Sequence, residues 1–533
     1  MAVLYSNRDI QEKTISLKRQ IIAIKRIEMS QRKIGIFLSY LYIVLNSVIG
    51  IFFTPFLLSK LGNAEYGLYQ LVQSISSYLV IANCGTGTAM TKFVSQFRTQ
   101  EDKKSEENYV FHNMVVATLS MILISIIGFS MLLSLSSIFP NFTNNELSKA
   151  KVLFTILVLN IMLSTYTNAF AGYATAHEKY VFTNGWGTAR IVLRVVAIVV
   201  LLNLGCDSIA IVLVDFVINV LYFFTLVYLC VIKLGMKVKF YNWDFQLFRS
   251  TLIFSFAILI QAIVNQVNQN VDKMMLGMLC TTYEVTVYSL AMNIFIVFSQ
   301  LPTALGSVFL PKITSMVYSN CSNDDLVELS ARVGRVQFML VGAALAGFAL
   351  FGKNFMTCWV GNQIGDDVNT SWLIALIIMI PTVVTASNGV CSSILDAKEK
   401  RIVGSSVLLI VAGLNIILTF LLIKKMGILG APIATAIATA IGSIFLLNLY
   451  FIIQLKINII HMYTLIIKGT LPCLLLTSVI CFCITRKWNY GWKSFIFEVL
   501  IFLIIYSLLM MKFGLKKEEK KEILGKMYRS KRK

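Results

Sequence analysis

Charge is scarce in this sequence: Asp, Glu, Lys and Arg make up 14% of its 533 residues, against about 25% in a soluble globular protein. Hydrophobic residues fill 57%. That excludes a soluble enzyme. Histidine is scarcer still, since His112, His177 and His461 are the only three. None stands beside a cluster of acids or cysteines, so metal hydrolysis and histidine-based catalysis have no apparatus. The 10 cysteines form no CxxC pair; most lie in or beside apolar runs, where a thiol behaves as a small hydrophobe. No disulfide framework or metal site follows. Residues 1–33 lack the apolar core and cleavage site of a signal peptide, and they read as a basic cytoplasmic segment.

What fills the sequence instead is apolar length. A bilayer core takes roughly 20 apolar residues per helix. Runs of that kind fall at about 34–58, 67–90, 113–138, 152–173, 187–205, 208–232, 251–279, 285–311, 336–352, 372–395, 405–423, 428–455, 463–485 and 494–512. The expected fold is an all-α polytopic membrane protein of about fourteen transmembrane helices. Spans one to six form an N-lobe over 34–232 and spans seven to twelve a C-lobe over 251–455. Spans thirteen and fourteen are an appended pair over 463–512, and 513–533 is a basic cytoplasmic tail.

The net charge of +21 reads as topology. With the N-terminus inside, about 35 of the 47 Lys and Arg lie in inner segments, which is the positive-inside pattern and puts both termini in the cytoplasm. Arg486, Lys487 and Lys493 run against it on the outer side, beside Trp488 and Trp492, which suit an interfacial aromatic belt. The longest outer connection, about 353–371, is too short for a folded domain. A membrane glycosyltransferase or polysaccharide polymerase needs larger loops to hold a donor and an acceptor, so the work falls inside the helix bundle.

The two halves echo each other. Leu57-Leu58 with Tyr69-Gln70-Leu71 resembles Leu276-Gly277 with Tyr288-Ser289-Leu290, and Lys92-Phe93-Val94-Ser95 resembles Lys312-Ile313-Thr314-Ser315. A repeat of six spans gives two copies of equal orientation, related by an axis along the membrane normal.

Polar residues stand where lipid should be. Gln261, Asn265, Asn268 and Asp272 follow at spacings of four, three and four, which shares one helical face. Asn46 in span one, Gln70 and Gln73 in span two, and Asn160 in span four belong to similar stripes. Each stripe alone reads as interhelical hydrogen bonding; together they predict a hydrated cavity between the lobes. Arg190 and Arg194 lie four apart in span five, and Lys273 adjoins Asp272 without needing to pair with it. Asp215, Lys468 and Glu498 complete the ionisable set; the last two lie near helix ends and can snorkel. Breaks at Pro55, Gly85, Gly87, Pro302, Pro311, Pro381 and Pro472 are hinge candidates.

From Leu57 to Leu71 the sequence resembles the polysaccharide-biosynthesis, oligosaccharide-flippase family of the multidrug/oligosaccharidyl-lipid/polysaccharide (MOP) exporter superfamily. Asp272–Gly277 followed by Val287–Ala291 resembles that family's second-lobe segment, and Cys358–Gly361 its segment after span nine. The resemblance covers nearly the whole chain. It implies a MATE-like fold working by alternating access. The implied cargo is an undecaprenyl-diphosphate-linked oligosaccharide repeat unit, carried from the cytoplasmic to the outer leaflet of a bacterial inner membrane. The product would serve O-antigen (lipopolysaccharide), capsule or exopolysaccharide synthesis. Related lipid II flippases also have fourteen spans, the last two forming a groove for the lipid tail. They carry cations within span one, whereas here Arg32 and Lys33 precede an uncharged span, which argues against lipid II as the substrate.

On this expectation Arg190, Arg194 and Lys273 meet the diphosphate in turn. Asn46, Gln70, Gln73, Asn160, Gln261, Asn265 and Asn268 host the glycan, and Asp272 or Asp215 carries a coupling proton or sodium ion. No catalytic residue, metal, cofactor or nucleic acid is expected; the partners are the lipid-linked oligosaccharide, the bilayer and polysaccharide polymerase machinery. Two readings compete: a cation-coupled multidrug or small-molecule exporter of the same superfamily, which needs only twelve spans, and a polymerase or glycosyltransferase, which the missing outer domain disfavours.

Overall fold

The computed structural model describes the chain from Ile34 to Lys520 except 35–37, 39–40, 43–44, 84, 141, 244, 319–321, 390, 392–393, 396–397, 399, 487 and 517–519. It gives the backbone alone for 247–248, 250, 252–258, 260–261, 264, 303–315, 317–318 and 401–402. The basic segment 1–33, the tail from 521, Cys84, Lys487 and the side chain of Gln261 therefore lie outside the described residues.

Every regular element among the described residues is helical. The first half comprises α1 (Leu45–Leu61), α2 (Asn63–Leu79), α3 (Thr86–Thr99), α4 (Lys103–Ile138), α5 (Asn144–Ala176), α6 (Tyr180–Asn203) and α7 (Ser208–Val227), the last running on as a π-turn over Tyr228–Lys233. The second half opens with α8 (Phe245–Leu279), α9 (Thr282–Tyr318), α10 (Asn323–Ile364), α11 (Val368–Ser387) and α12 (Arg401–Met426). It closes with α13 (Gly430–Thr439), α14 (Leu447–Ile453), α15 (Ile459–Ile467), α16 (Thr470–Thr485) and α17 (Trp492–Leu509).

The helices form because a backbone in hydrocarbon must satisfy its own N–H and C=O groups. Eight stretches among the described residues are long and apolar enough to cross a bilayer, and two of them, 323–387 and 403–453, each hold more than one helix. The bent pair α15–α16 makes a ninth. Large apolar side chains such as Phe129, Leu133, Val479 and Leu508 stay uncovered, as lipid-facing groups do. Polar caps mark the ends that meet water: Thr143 with Glu146 opens α5 and Ser322 with Asp325 opens α10, each a reciprocal capping box.

Three expectations about spans need correction. The connection expected at 353–371 is mostly helix: α10 continues to Ile364, Gly365 (φ 54) ends it, and α11 starts at Val368. The reason is burial, since Met356, Trp359 and Val360 are core residues that keep the helix packed beyond the apolar run. The span expected at 67–90 is broken, with α2 tightening into a 3-10 turn over Val80–Asn83 before Gly85 turns left-handed (φ 61) and α3 begins. The span expected at 463–485 bends by 40° where Gly469 (φ 84) separates α15 from α16.

The chain divides into two compact units. The first takes in the chain to Thr54, Ile75–Ile138 and Thr143–Ile263. Here α5 is the hub, packed against α3, α4 and α7. Gly87 and Gly172 let α3 approach α5 closely: a Cβ on Gly172 would lie 2.3 Å from the Gly87 carbonyl oxygen. Thr91 Oγ1 donates to the Gly172 carbonyl at 3.0 Å across the same crossing. Gly85 is thus a turn residue, while Gly87 serves packing.

The second unit comprises Pro55–Ser74, Phe139–Phe142 and Val264 onward. Its hub is α10, packed against α9, α11, α15, α16 and α17. The Pro55–Ser74 stretch packs within this unit, on the segment that the internal repeat pairs with it. Thr286 Oγ1 donates to the Asn63 carbonyl at 2.6 Å, and a Cβ on Gly67 would sit 1.9 Å from the Thr282 carbonyl oxygen.

Candidate functional site

The second unit holds a buried polar cluster centred on Asp272, which is 4% exposed. Helix α8 presents the carboxylate and three other helices supply its partners. Tyr288 from α9 donates to Oδ2 at 2.6 Å and Thr435 from α13 donates to it at 2.7 Å. From α12, Thr419 and the Asn415 amide approach Oδ1 at 3.2 and 3.3 Å. Thr419 and Thr435 also lie 3.0 and 3.1 Å from Asn415 Oδ1.

A hydroxyl carries one hydrogen. Three hydroxyls therefore offer three hydrogens to the five oxygen contacts they make here, so two close oxygen pairs have no proton between them. A small hard cation, bound by oxygen ligands, or an added proton would satisfy both. Asn415, Thr419 and Thr435 lie outside the sequence-predicted set, although Asn415 with Thr419 and Thr435 with Thr439 each repeat the spacing of four seen in the stripes.

Lys273 is 9% exposed and has neither a hydrogen-bond nor an ion-pair partner among the described residues. A cation held this way is a ready contact for an incoming anion. Of the other predicted residues in this unit, Gln70 donates to Tyr66 Oη at 2.9 Å. Gln73 and Asn265 are exposed and Asn268 is half-buried.

The first unit carries a separate set. Arg194 on α6 and Asp215 on α7 form an ion pair, with Nε to Oδ1 at 2.6 Å and Nη2 to Oδ2 at 3.2 Å. Asn219 Nδ2 donates to Asn160 Oδ1 at 2.7 Å. Arg190 is half-buried a turn before Arg194, and Asn46 is exposed. The predicted residues thus fall into two groups, one in each unit. Pairing with Asp215 compensates the charge of Arg194 at depth, where a lone Arg would cost about 2.5–3.5 kcal/mol.

A family model described as "Polysaccharide biosynthesis protein" matches residues 33–317, more than half of the chain. The chain belongs to that family. A search of curated proteins gives no match. Among solved structures, this polysaccharide biosynthesis protein is similar to the lipid II flippase MurJ in an inward closed conformation, with a TM-score of 0.69 at 14% identity, over 90% of this chain and 98% of that one. It is also similar to an inward-facing multidrug resistance MATE family transporter of the MOP superfamily, with a TM-score of 0.62 at 13% identity, over 79% of this chain and 98% of the other. The fold is therefore the one found in these two transporters.

One further residue of this family member escapes sequence reasoning. Arg335 reads in the sequence as an inner-connection charge, yet α10 runs on through it and leaves it 2% exposed. Its guanidinium donates to the carbonyls of Leu465 and Lys468 at 2.8 Å each and of Gly514 at 2.7 Å. These carbonyls end α15 and the π-turn that closes α17, where helix dipoles are negative. Farther along α10, Tyr506 Oη donates to the Met339 carbonyl at 2.8 Å. Asn354 bonds both Glu498 and the Gly491 amide at 2.9 Å. Glu498, expected to snorkel, is instead 5% exposed and bonded.

Proposed function

We propose that the protein is a flippase for undecaprenyl-diphosphate-linked oligosaccharide repeat units. It carries them from the cytoplasmic to the outer leaflet of a bacterial inner membrane by alternating access, with both termini cytoplasmic, and serves O-antigen, capsule or exopolysaccharide synthesis. The observation that carries the reading is family membership, 33–317. Extent supports it as well: the likeness to the flippase fold covers 90% of the chain and that to the MATE transporter 79%, a difference about the size of the appended pair.

In this reading Arg190 and Lys273 meet the diphosphate in turn, the polar stripes host the glycan, and Asp272 carries the coupling cation. Arg194 holds α6 to α7 through Asp215. An inside-negative potential also favours outward movement of an anion, by about 2.3 kcal/mol per charge per 100 mV.

The test is translocation of lipid-linked glycan in proteoliposomes with and without a sodium or proton gradient. Asp272→Asn is expected to remove gradient dependence while the protein still folds; an undiminished response to the gradient would sink the coupling role. The double variant Arg194→Met/Asp215→Leu is expected to fold and flip better than Arg194→Met alone, because replacing both members of a buried pair spares the uncompensated charge. If the double variant is no better than the single one, Arg194 meets the substrate itself. The MATE-like fold also favours a second reading, a cation-coupled exporter. Resistance to cationic dyes on expression, without glycan translocation, would establish it.

A further inference from the structure

At one end of the first unit a cavity of about 560 Å³ opens between the end of α3, the start of α4, the end of α5 and the segment that leaves α7. It shares no residue with the Asp272 cluster or with the set given a transport role above. Six ionisable side chains decide its character: Arg98, Lys103 and Lys237, and Glu101, Glu106 and Glu107. The signs of these six balance three to three. Beside them Lys239 Nζ lies 3.7 Å from Glu107 Oε2, so among the described residues Glu101 and Glu106 are the cavity carboxylates without a lysine on them.

Several of these groups are fixed in place. Arg98 donates one N–H to the carbonyl of Ala176, the last residue of α5, out of the five a guanidinium carries. Tyr173 Oη donates to Glu106 Oε1 at 3.0 Å, and Tyr241 Oη to Glu107 Oε2 at 2.6 Å. His177 also lines the wall. Burial first, and then the charge of Arg98, push its imidazole down to about 4, so it is neutral at pH 7. Its 3.8 Å separation from Glu106 is accordingly no ion pair at that pH.

The segment beside the cavity gives its depth. Residues 235–243 run without helix along the start of α4. They are tied down by Asn108, which accepts from the Tyr241 amide at 3.1 Å and donates to the Asn242 carbonyl at 3.1 Å. Phe240 packs on Phe111 and Trp243 on His112, each pair 5.0 Å between ring centroids. Yet Val238, Phe240, Trp243 and the following Phe245 stay largely uncovered, and they alternate with Lys233, Lys237 and Lys239. Exposed aromatics interleaved with lysines mark the membrane–water interface. The cavity mouth therefore sits at the level of lipid headgroups.

We infer that this cavity binds the headgroup of an amine-bearing phospholipid, its phosphate held by Arg98, Lys103 and Lys237 and its ammonium by Glu101 and Glu106. A purely anionic headgroup would leave the Glu101 and Glu106 carboxylates facing a phosphate, and like-charge juxtaposition selects against it. A choline headgroup carries the positive charge but has no N–H to donate. A primary ammonium joined to a phosphate meets both halves of the lining.

The experiment uses the purified full-length protein, stripped of lipid in detergent and titrated with phosphatidylethanolamine, phosphatidylcholine, phosphatidylglycerol or soluble O-phosphoethanolamine, with bound lipid read by native mass spectrometry. Phosphatidylethanolamine is expected to be retained about tenfold better than either other lipid, the weight of one or two charge-assisted hydrogen bonds. Glu101→Gln and Lys237→Gln, both at exposed positions, are expected to erase most of that preference without disturbing the fold. Equal retention of phosphatidylglycerol, or a preference that survives both substitutions, overturns the inference. Displacement of the lipid by soluble O-phosphoethanolamine at millimolar concentration overturns the lipid assignment and gives the site to a free phosphoamine.

Discussion

Arg335→Met is expected to cost about 3–5 kcal/mol, the range for breaking a buried charged interaction, and to loosen the end of the chain before the rest unfolds. The guanidinium reaches three carbonyls on two separate elements, at Leu465, Lys468 and Gly514. Losing it strands the Gly514 carbonyl, whose contact is buried, and weakens two part-buried contacts at Leu465 and Lys468; a buried group left without a partner costs about 1–3 kcal/mol. Hydrogen exchange should therefore quicken over α15, α16 and the π-turn at Met510–Gly514 while the first unit is unaffected. Arg335→Lys should recover little, because a single ammonium cannot span what a planar fork spans. Unchanged exchange over 459–514 in Arg335→Met would show that the contacts are incidental.

Gly67→Val is expected to damage the protein by a different route. The first carbon of any side chain there would fall 1.9 Å from the Thr282 carbonyl oxygen and 2.6 Å from Thr286 Oγ1. The first neighbour is backbone and cannot swing aside. The cost should reach or exceed the roughly 1–3 kcal/mol of an overpacked core, visible as a lower thermal midpoint in detergent and as lost translocation. Gly50→Ala is the control: among the described residues no atom lies within 4 Å of where its Cβ would stand, and its effect should stay within about 0.5 kcal/mol. Equal melting of Gly67→Val and wild type would show that the Pro55–Ser74 stretch leaves Thr282 readily.

The all-helical fold was legible because hydrocarbon permits little else: apolar length and helical spacing identify spans. The stripe through Asp272 was legible for the same reason, as an acid on the polar face of α8. Its partners are harder to see. Thr435 shares a spacing of four with Thr439, a pattern that names no partner, and only the crossing of α12 and α13 brings it 2.7 Å from the carboxylate. Arg194 and Asp215 both stand out in the sequence, but 21 residues separate them, and no periodicity links residues on different helices. Arg335 misleads outright. A base just before an apolar run looks like a topology signal, and nothing local reveals that two later helix ends fold back onto it.

That fold-back bears on how such a chain could arise. Residues 456–533 look like an accessory that could be trimmed to leave a twelve-span transporter. Three carbonyls that accept from Arg335 lie in that portion, at 465, 468 and 514. A truncated protein would keep the guanidinium and lose these three acceptors, each a hydrogen bond to a charged group worth about 1.5–3 kcal/mol. Gain or loss of the final helices in this lineage would then be felt at position 335, which makes that residue the place to look in a relative for how tightly the last two spans are tied to the rest.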